Sequence, residues 1–381
     1  MEQSFAAGLQ RPFYDDRLTP YIEIDALRLR RNLIQMQHKA QAANVTLRPH
    51  VKTHKSVMIA RQQRELGAQG ITVSKPSEAI AFIRGGERDL LLAYPAIKAE
   101  TLSDLLQVAA THQARLTLIA DSHAGVEAIA EAARTRPETN IAVAIKVDVG
   151  LHRIGVDPYS DAAIQLAQEI TDHGLHFAGL LAHAGHAYGA GHPEAISVIA
   201  AEEAHLMKSL QARLIAAGFT PCPLSVGATP TVLAAPIASG ITEIRPGNYA
   251  LLDLTACRLG LSAADNLALT VMTRVVAVNT HYAIIDAGSK MLSSDKGPHG
   301  TSANGFGIAV DEQGQCYEVS KLSEEHGFIA YPPHAAPQPG SLLRIFPNHS
   351  CAVMAQSDTF VLRREDGSGE RWPIEGRGQF L

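Results

Sequence analysis

Eight short β-leaning runs, each but the last clearly followed by a helix or helical turn, are spread through the first 260 residues. They are Val45–Pro49, Gly70–Val73, Asp89–Ala93, Arg115–Ala120, Ile141–Val147, Phe177–Ala182, Cys222–Val226 and Thr242–Arg245. Helical spacing of apolar residues separates them, as over Ala124–Ala133, Asp161–Ile170 and Glu194–Ala217. Strand–helix alternation on this short beat demands a parallel sheet, because parallel neighbours need a crossover connection. Eight repeats in this length predict an α/β fold of (β/α)8 barrel type. A doubly wound sheet is the runner-up, but no Gly-x-Gly-x-x-Gly follows the early strands.

The texture changes after Ser262. Short alternating runs at Val271–Val278, Tyr282–Asp286, Phe306–Val310, Cys316–Val319, Phe328–Tyr331, Leu342–Phe346 and Thr359–Leu362 are divided by turn residues such as Asp311-Glu312-Gln313-Gly314. They predict a C-terminal all-β domain over 263–381, after an N-terminal arm at 1–19 and a barrel at 20–262. The alternating run Tyr21–Asp25 is surplus to the barrel and is a candidate strand of the β-domain. With 381 residues, 46% hydrophobic and 19% charged, the chain can bury ample core. A net charge of −5 without a basic block argues against nucleic acid. No apolar run has signal-peptide or membrane-spanning character. Four cysteines without Cys-x-x-Cys spacing fit free thiols in a cytoplasmic protein.

Chemistry concentrates at the carboxyl ends of the strands, where α/β folds place it. Arg48-Pro49-His50-Val51-Lys52-Thr53-His54-Lys55 hands the first strand over to a helix. A lysine crowded by cations is expected to lose its proton readily and become a nucleophilic amine; the bland alternative is a basic surface turn. Asp148–Gly155 offers Arg153 to an oxyanion after the fifth strand. His183, His186 and Tyr188 follow the sixth. Ser225–Thr231 and Arg245–Tyr249 close the seventh and eighth with small residues, hydroxyls and amides suited to a phosphate. In the β-domain, Asn348-His349-Ser350-Cys351 puts a histidine and a cysteine at i and i+2, which share a face on an extended chain. Such a pair suits a borderline metal such as zinc with open coordination positions, although His-x-Cys also arises by chance.

Together these stretches resemble the pyridoxal-phosphate enzymes that include D-serine dehydratase, D-threonine aldolase and D-3-hydroxyaspartate dehydratase, whose barrel is related to that of alanine racemase. The resemblance runs from about Thr19 past the His-x-Cys stretch, and Arg-Pro-His-Val-Lys-Thr-His-Lys is its most specific motif. It implies Lys52 as the Schiff-base lysine and Arg153 beside the cofactor ring. It implies His183 and Tyr188 lining the cofactor, and Gly227, Thr229, Gly247 and Asn248 at its phosphate. Arg245 matches the racemase arginine facing the pyridine nitrogen, a position that varies in this family. His349 and Cys351 would hold a divalent metal, zinc first, and Glu325-His326-Gly327 resembles a motif read as a supporting shell. Asn-His-x-Cys marks the dehydratase branch, whereas aldolases resemble His-x-Asp. The resemblance further implies a homodimer and a metal-assisted elimination of water from a small D-3-hydroxy amino acid, D-serine first. Retro-aldol cleavage of D-threonine, dehydration of D-3-hydroxyaspartate, racemisation and a non-catalytic cofactor carrier are the alternatives.

Overall fold

The computed structural model describes residues 8–13, 18–298, 303–332 and 335–381. The stretches 1–7 and 14–17 of the expected arm lie outside the described residues. The chain forms two compact units, one of Met36–Lys52, Ser56–Gly247 and Gly378–Leu381, the other of Met1–Gln35, Thr53–Lys55 and Asn248–Arg377. In chain order, β1 (Tyr21–Asp25) belongs to the second unit. The first unit holds β2 (Thr46–Leu47), β3 (Ile71–Val73), β4 (Asp89–Pro95), β5 (Arg115–Ala120), β6 (Ile141–Lys146), β7 (His176–Leu181), β8 (Leu224–Val226) and β9 (Glu243–Ile244).

These eight strands form one parallel sheet in the order β2-β9-β8-β7-β6-β5-β4-β3. Its two ends meet. The Val51 N–H donates to the Thr72 carbonyl at 2.9 Å, and the Thr72 N–H donates to that of Pro49 at 2.7 Å. The sheet is therefore a closed (β/α)8 barrel, as the alternation requires. Strands such as Ile141-Ala142-Val143-Ala144-Ile145 are buried almost end to end, because helices cover one face and the barrel interior fills the other. Leu91, Ile119, Ala144 and Leu181, one from each of four successive strands, pack in a shared cluster. Helices start where the sequence says they should. Pro76 and Pro193 stand in first turns, and Ser122 caps the helix His123–Thr135 by accepting the Gly125 N–H at 3.3 Å.

The second unit is built on a nine-stranded sheet. Its further strands are β10 (Leu269–Val278), β11 (Ala283–Ile285), β12 (Gly307–Val310), β13 (Cys316–Leu322), β14 (Gly327–Ala330), β15 (Leu342–Pro347), β16 (Thr359–Arg363) and β17 (Gly369–Pro373). The order is β11-β14-β13-β12-β15-β10-β1-β16-β17, and an extra β10–β11 pairing closes six of them into a ring. The surplus strand β1 sits inside this sheet, antiparallel to β10 and parallel to β16. Residues 350–354, on the stretch read as extended, instead form a helical turn with His349 as its N-cap. Among the described residues no helix is long and apolar enough to cross a membrane.

Candidate active site

Lys52 lies in the turn that links β2 to the helix Val57–Glu65, and its N–H points at His50 Nδ1, 3.4 Å away. Cations from distant strands join those that flank it in sequence. Arg48 is paired with Glu243 and Asp89, at 2.7 and 2.8 Å. Lys146, the last residue of β6, supplies a further charge and is 4% exposed. Its Nζ donates to the Val147 carbonyl at 3.1 Å. Burial, then the nearby Arg245 guanidinium, pulls its pKa down to about 7 against the pull of Glu203. Arg245, also 4% exposed, donates from Nε to Ser225 Oγ at 2.7 Å. Ser225 Oγ in turn donates to Glu243 at 2.6 Å. Burial draws the Arg245 pKa down to about 10.

His183 reports the combined field. Burial, followed by the charges of Lys52, Lys146, Arg245 and Arg153, holds its pKa well below the usual imidazole value, so the ring is neutral. Tyr188 follows on the 3-10 turn Gly185–Gly189. Glu203 is buried on the helix Pro193–Ala216 and accepts the N–H groups of Ala184 and Gly227, at 3.1 and 3.4 Å. A barrel end with Lys52, Lys146, Arg153 and Arg245 around a neutral imidazole suits an anionic, phosphate-bearing aldehyde such as pyridoxal phosphate.

The loops carry the rest of the expected cofactor set. Asp148 organises the loop that presents Arg153 by accepting the Gly150 and His152 N–H groups, both at 3.0 Å. Gly155 closes it at φ +121, and a Cβ there would fall 2.5 Å from the Asp148 nitrogen. Gly227 has φ +99, and its N–H is directed at Glu203, so it supplies the turn more than a donor. The Ala228 N–H is held by Thr231 Oγ1 at 3.0 Å, and Thr229 opens the helix Thr229–Ala234. Gly247 is buried at the end of the barrel unit. The Asn248 side chain is engaged elsewhere: it donates to Asp253 at 2.7 Å and to Ser350 Oγ at 3.0 Å, leaving only its main chain for a phosphate.

In the second unit, His349 and Cys351 come together by a helix start, not by an extended strand. Asn348 pins the turn from three sides: its amide donates to Gly305 O at 3.1 Å, Thr255 Oγ1 donates to its carbonyl at 2.7 Å, and Arg258 donates to its Oδ1. Asp253 accepts the Ser350 N–H at 2.9 Å. Asp295 Oδ2 lies 2.6 Å from His349 Nδ1, which leaves Nε2 for an ion. Cys351 Sγ lies 3.2 Å from Thr53 Oγ1, and Thr53 follows Lys52 directly in the chain. Burial lowers the His349 pKa, but Cys351, Asp253 and Asp295 outweigh it and push it up to about 10. This is an environment that wants a cation. No third His, Cys, Asp or Glu among the described residues joins the pair within ligating distance, so bound metal would keep open positions. Glu325 instead pairs with Lys290 on the surface.

Lys146, Glu203, Asp253 and Asp295 were not singled out from sequence. Lys146 had a signal: a charged residue ending the apolar run 141–145. The two aspartates had none, since their partners lie 54 and 97 residues away.

The alanine racemase N-terminal domain model matches residues 24–254, and the "Putative serine dehydratase domain" model matches 268–362. The chain belongs to this family of D-serine dehydratase-like enzymes. The family depends on pyridoxal phosphate and its members are lyases. Over 93% of this chain and 96% of its own, a D-threo-3-hydroxyaspartate dehydratase of Delftia sp. is 38% identical. The solved structure of the Delftia enzyme superposes with a TM-score of 0.87 over 94% of this chain and 98% of that one, at 36% identity. A D-serine dehydratase of Dictyostelium discoideum is 30% identical over 91% of this chain and 94% of its own. A D-threonine aldolase of Arthrobacter sp. is also 30% identical, over 94% and 93%.

Proposed function

We propose that this protein is a pyridoxal-phosphate- and metal-dependent dehydratase of D-3-hydroxy amino acids, a cytoplasmic homodimer that yields a 2-oxo acid and ammonia. The pairing of His349 with Cys351 carries the reading. A similar D-threo-3-hydroxyaspartate dehydratase has been solved as a His→Ala variant and, two positions further on, as a metal-free Cys→Ala variant, which supports the same roles here. Bound through Lys52, pyridoxal phosphate supplies an electron sink for negative charge at Cα. Bound by His349 and Cys351, a divalent ion, zinc first by the donor pair, supplies Lewis acidity toward the β-oxygen. The chain's residues do the remaining work. The Lys52 amine takes the proton from substrate Cα. Arg153, His183 and Tyr188 would line the cofactor's binding place, with the Arg245 guanidinium available to its ring. Thr229 and the Gly247 and Asn248 backbone would hold the phosphate, with Gly227 supplying the turn that brings them there. Asp295 keeps the His349 ring oriented, and Asn348 fixes its turn. D-Serine is the favoured substrate, and the likeness to a D-threo-3-hydroxyaspartate dehydratase supports that compound as the alternative.

The test is a product assay of zinc-loaded protein on D-threonine, then on D-serine and D-threo-3-hydroxyaspartate. Ammonia and 2-oxobutanoate from D-threonine are expected. Glycine and acetaldehyde would mean that the carbon–carbon bond breaks, and that Cys351 does not mark a dehydratase.

A further inference from the structure

The sheet-bearing unit contains a cavity of about 200 Å³ that the proposed lyase chemistry does not use. Five of its lining side chains are arginines and three are acids. Two of the acids are already taken. Glu23 accepts Arg344 on one oxygen at 3.1 Å and Arg363 on the other at 3.0 Å. Asp25 is paired with Arg28. Arg11 is left with no carboxylate among the described residues. Its Nη2 donates to the Leu267 carbonyl and its guanidinium sits 4.9 Å over the Phe346 ring. Arg11 Nε and Nη1 are buried with no hydrogen-bond partner, and so is Nε of Arg344, which is 1% exposed. Burial, then the charges of Arg28 and Arg344, hold the Arg11 pKa well below its usual value. Buried guanidinium donors without acceptors are costly, and like charges sharing a cavity add to that cost.

We propose that this cavity binds a small multivalent oxyanion of the inorganic phosphate or sulfate type. A guanidinium fork matches the oxygens of such an ion, and Arg11 and Arg344 offer three unmet N–H positions for them. The cavity is smaller than the ~300–1,000 Å³ typical of organic-ligand pockets, which favours a compact ion with some of its water. Because Glu23, Arg344 and Arg363 lie on β1, β15 and β16, an ion here would tie three strands through one centre. Binding only the folded state, it would raise stability by mass action.

The experiment is a thermal-melting titration of the holoenzyme with inorganic phosphate in a zwitterionic buffer, with chloride at matched ionic strength. The holoenzyme is used so that the cofactor fills its own phosphate site. A saturable rise in Tm with phosphate and sulfate, absent with chloride, is expected. Arg11→Gln should weaken the half-saturation point by at least about tenfold. Should Arg11→Gln fail to fold, Arg28→Gln serves, since it removes a second lining charge. A response that does not saturate, that chloride reproduces, or that survives these substitutions overturns the proposal.

Discussion

Lys146→Met in the cofactor-free protein separates charge burial from every other contribution of that side chain. The folded pKa is about 7 against an ordinary value of 10.5. Between those values the unfolded chain keeps a proton that the folded chain releases, so stability contributed at this site rises with pH across that window and is lowest below it. At 1.36 kcal/mol per pKa unit, the folded state is disfavoured by about 4 kcal/mol at pH 7 and about 2 kcal/mol at pH 9. Methionine removes this penalty and also the bond to the Val147 carbonyl, about 1 kcal/mol at either pH. Urea unfolding of both proteins should therefore show the variant gaining about 2 kcal/mol more at pH 7 than at pH 9. The comparison is a difference of differences, so the lost hydrogen bond cancels. Equal gains at the two pH values would refute the reasoning. They would mean that Glu203 and Asp148 hold the Lys146 ammonium charged in spite of its burial.

Three other substitutions test the site. Asp295→Asn should weaken metal affinity about 10- to 100-fold, with activity recovering at high metal, because the carboxylate orients the His349 ring. Cys351→Asp exchanges a soft donor for a hard one, so restoration trials on chelated protein should move from zinc toward manganese or magnesium. Gly155→Ala forces a Cβ against the Asp148 backbone at a positive φ, and should cost about 1–3 kcal/mol in urea unfolding while loosening the Arg153 loop.

The barrel was legible because most of its strands carry an apolar run ended by a turn, with burial on both faces clearest in Ile141–Lys146. The β-domain was legible as a class but not as a topology. β17 was missed because Gly369-Glu370-Arg371-Trp372-Pro373 buries only Trp372, so no alternation marks it. The position of β1 depends on partners more than two hundred residues away, which no local pattern encodes. In the site, Lys52, His349 and Cys351 stand out because their residue types are rare in such spacing. The pairing of His349 with Cys351 was anticipated for the wrong geometric reason: Ser350 starts a helix, and the cap residue is the extended one. Asp253 and Asp295 act through distant neighbours, and Lys146 owes its altered proton affinity to burial that sequence does not display.

The placement of β1 sets a timetable for the growing chain. This strand leaves the ribosome well before its flanking partners β10 and β16, which come after the whole barrel sequence. Roughly 240 residues separate its end from the start of β10, about ten to fifty seconds of synthesis at usual rates. For that interval Tyr21-Ile22-Glu23-Ile24-Asp25 has unpaired edges and an acid with no arginine. A fragment beginning near residue 263 would meet the same gap from the other side, with β10 and β16 facing an empty lane. The two ends of this polypeptide therefore mature as one event, and cutting the gene between barrel and sheet would leave neither piece whole.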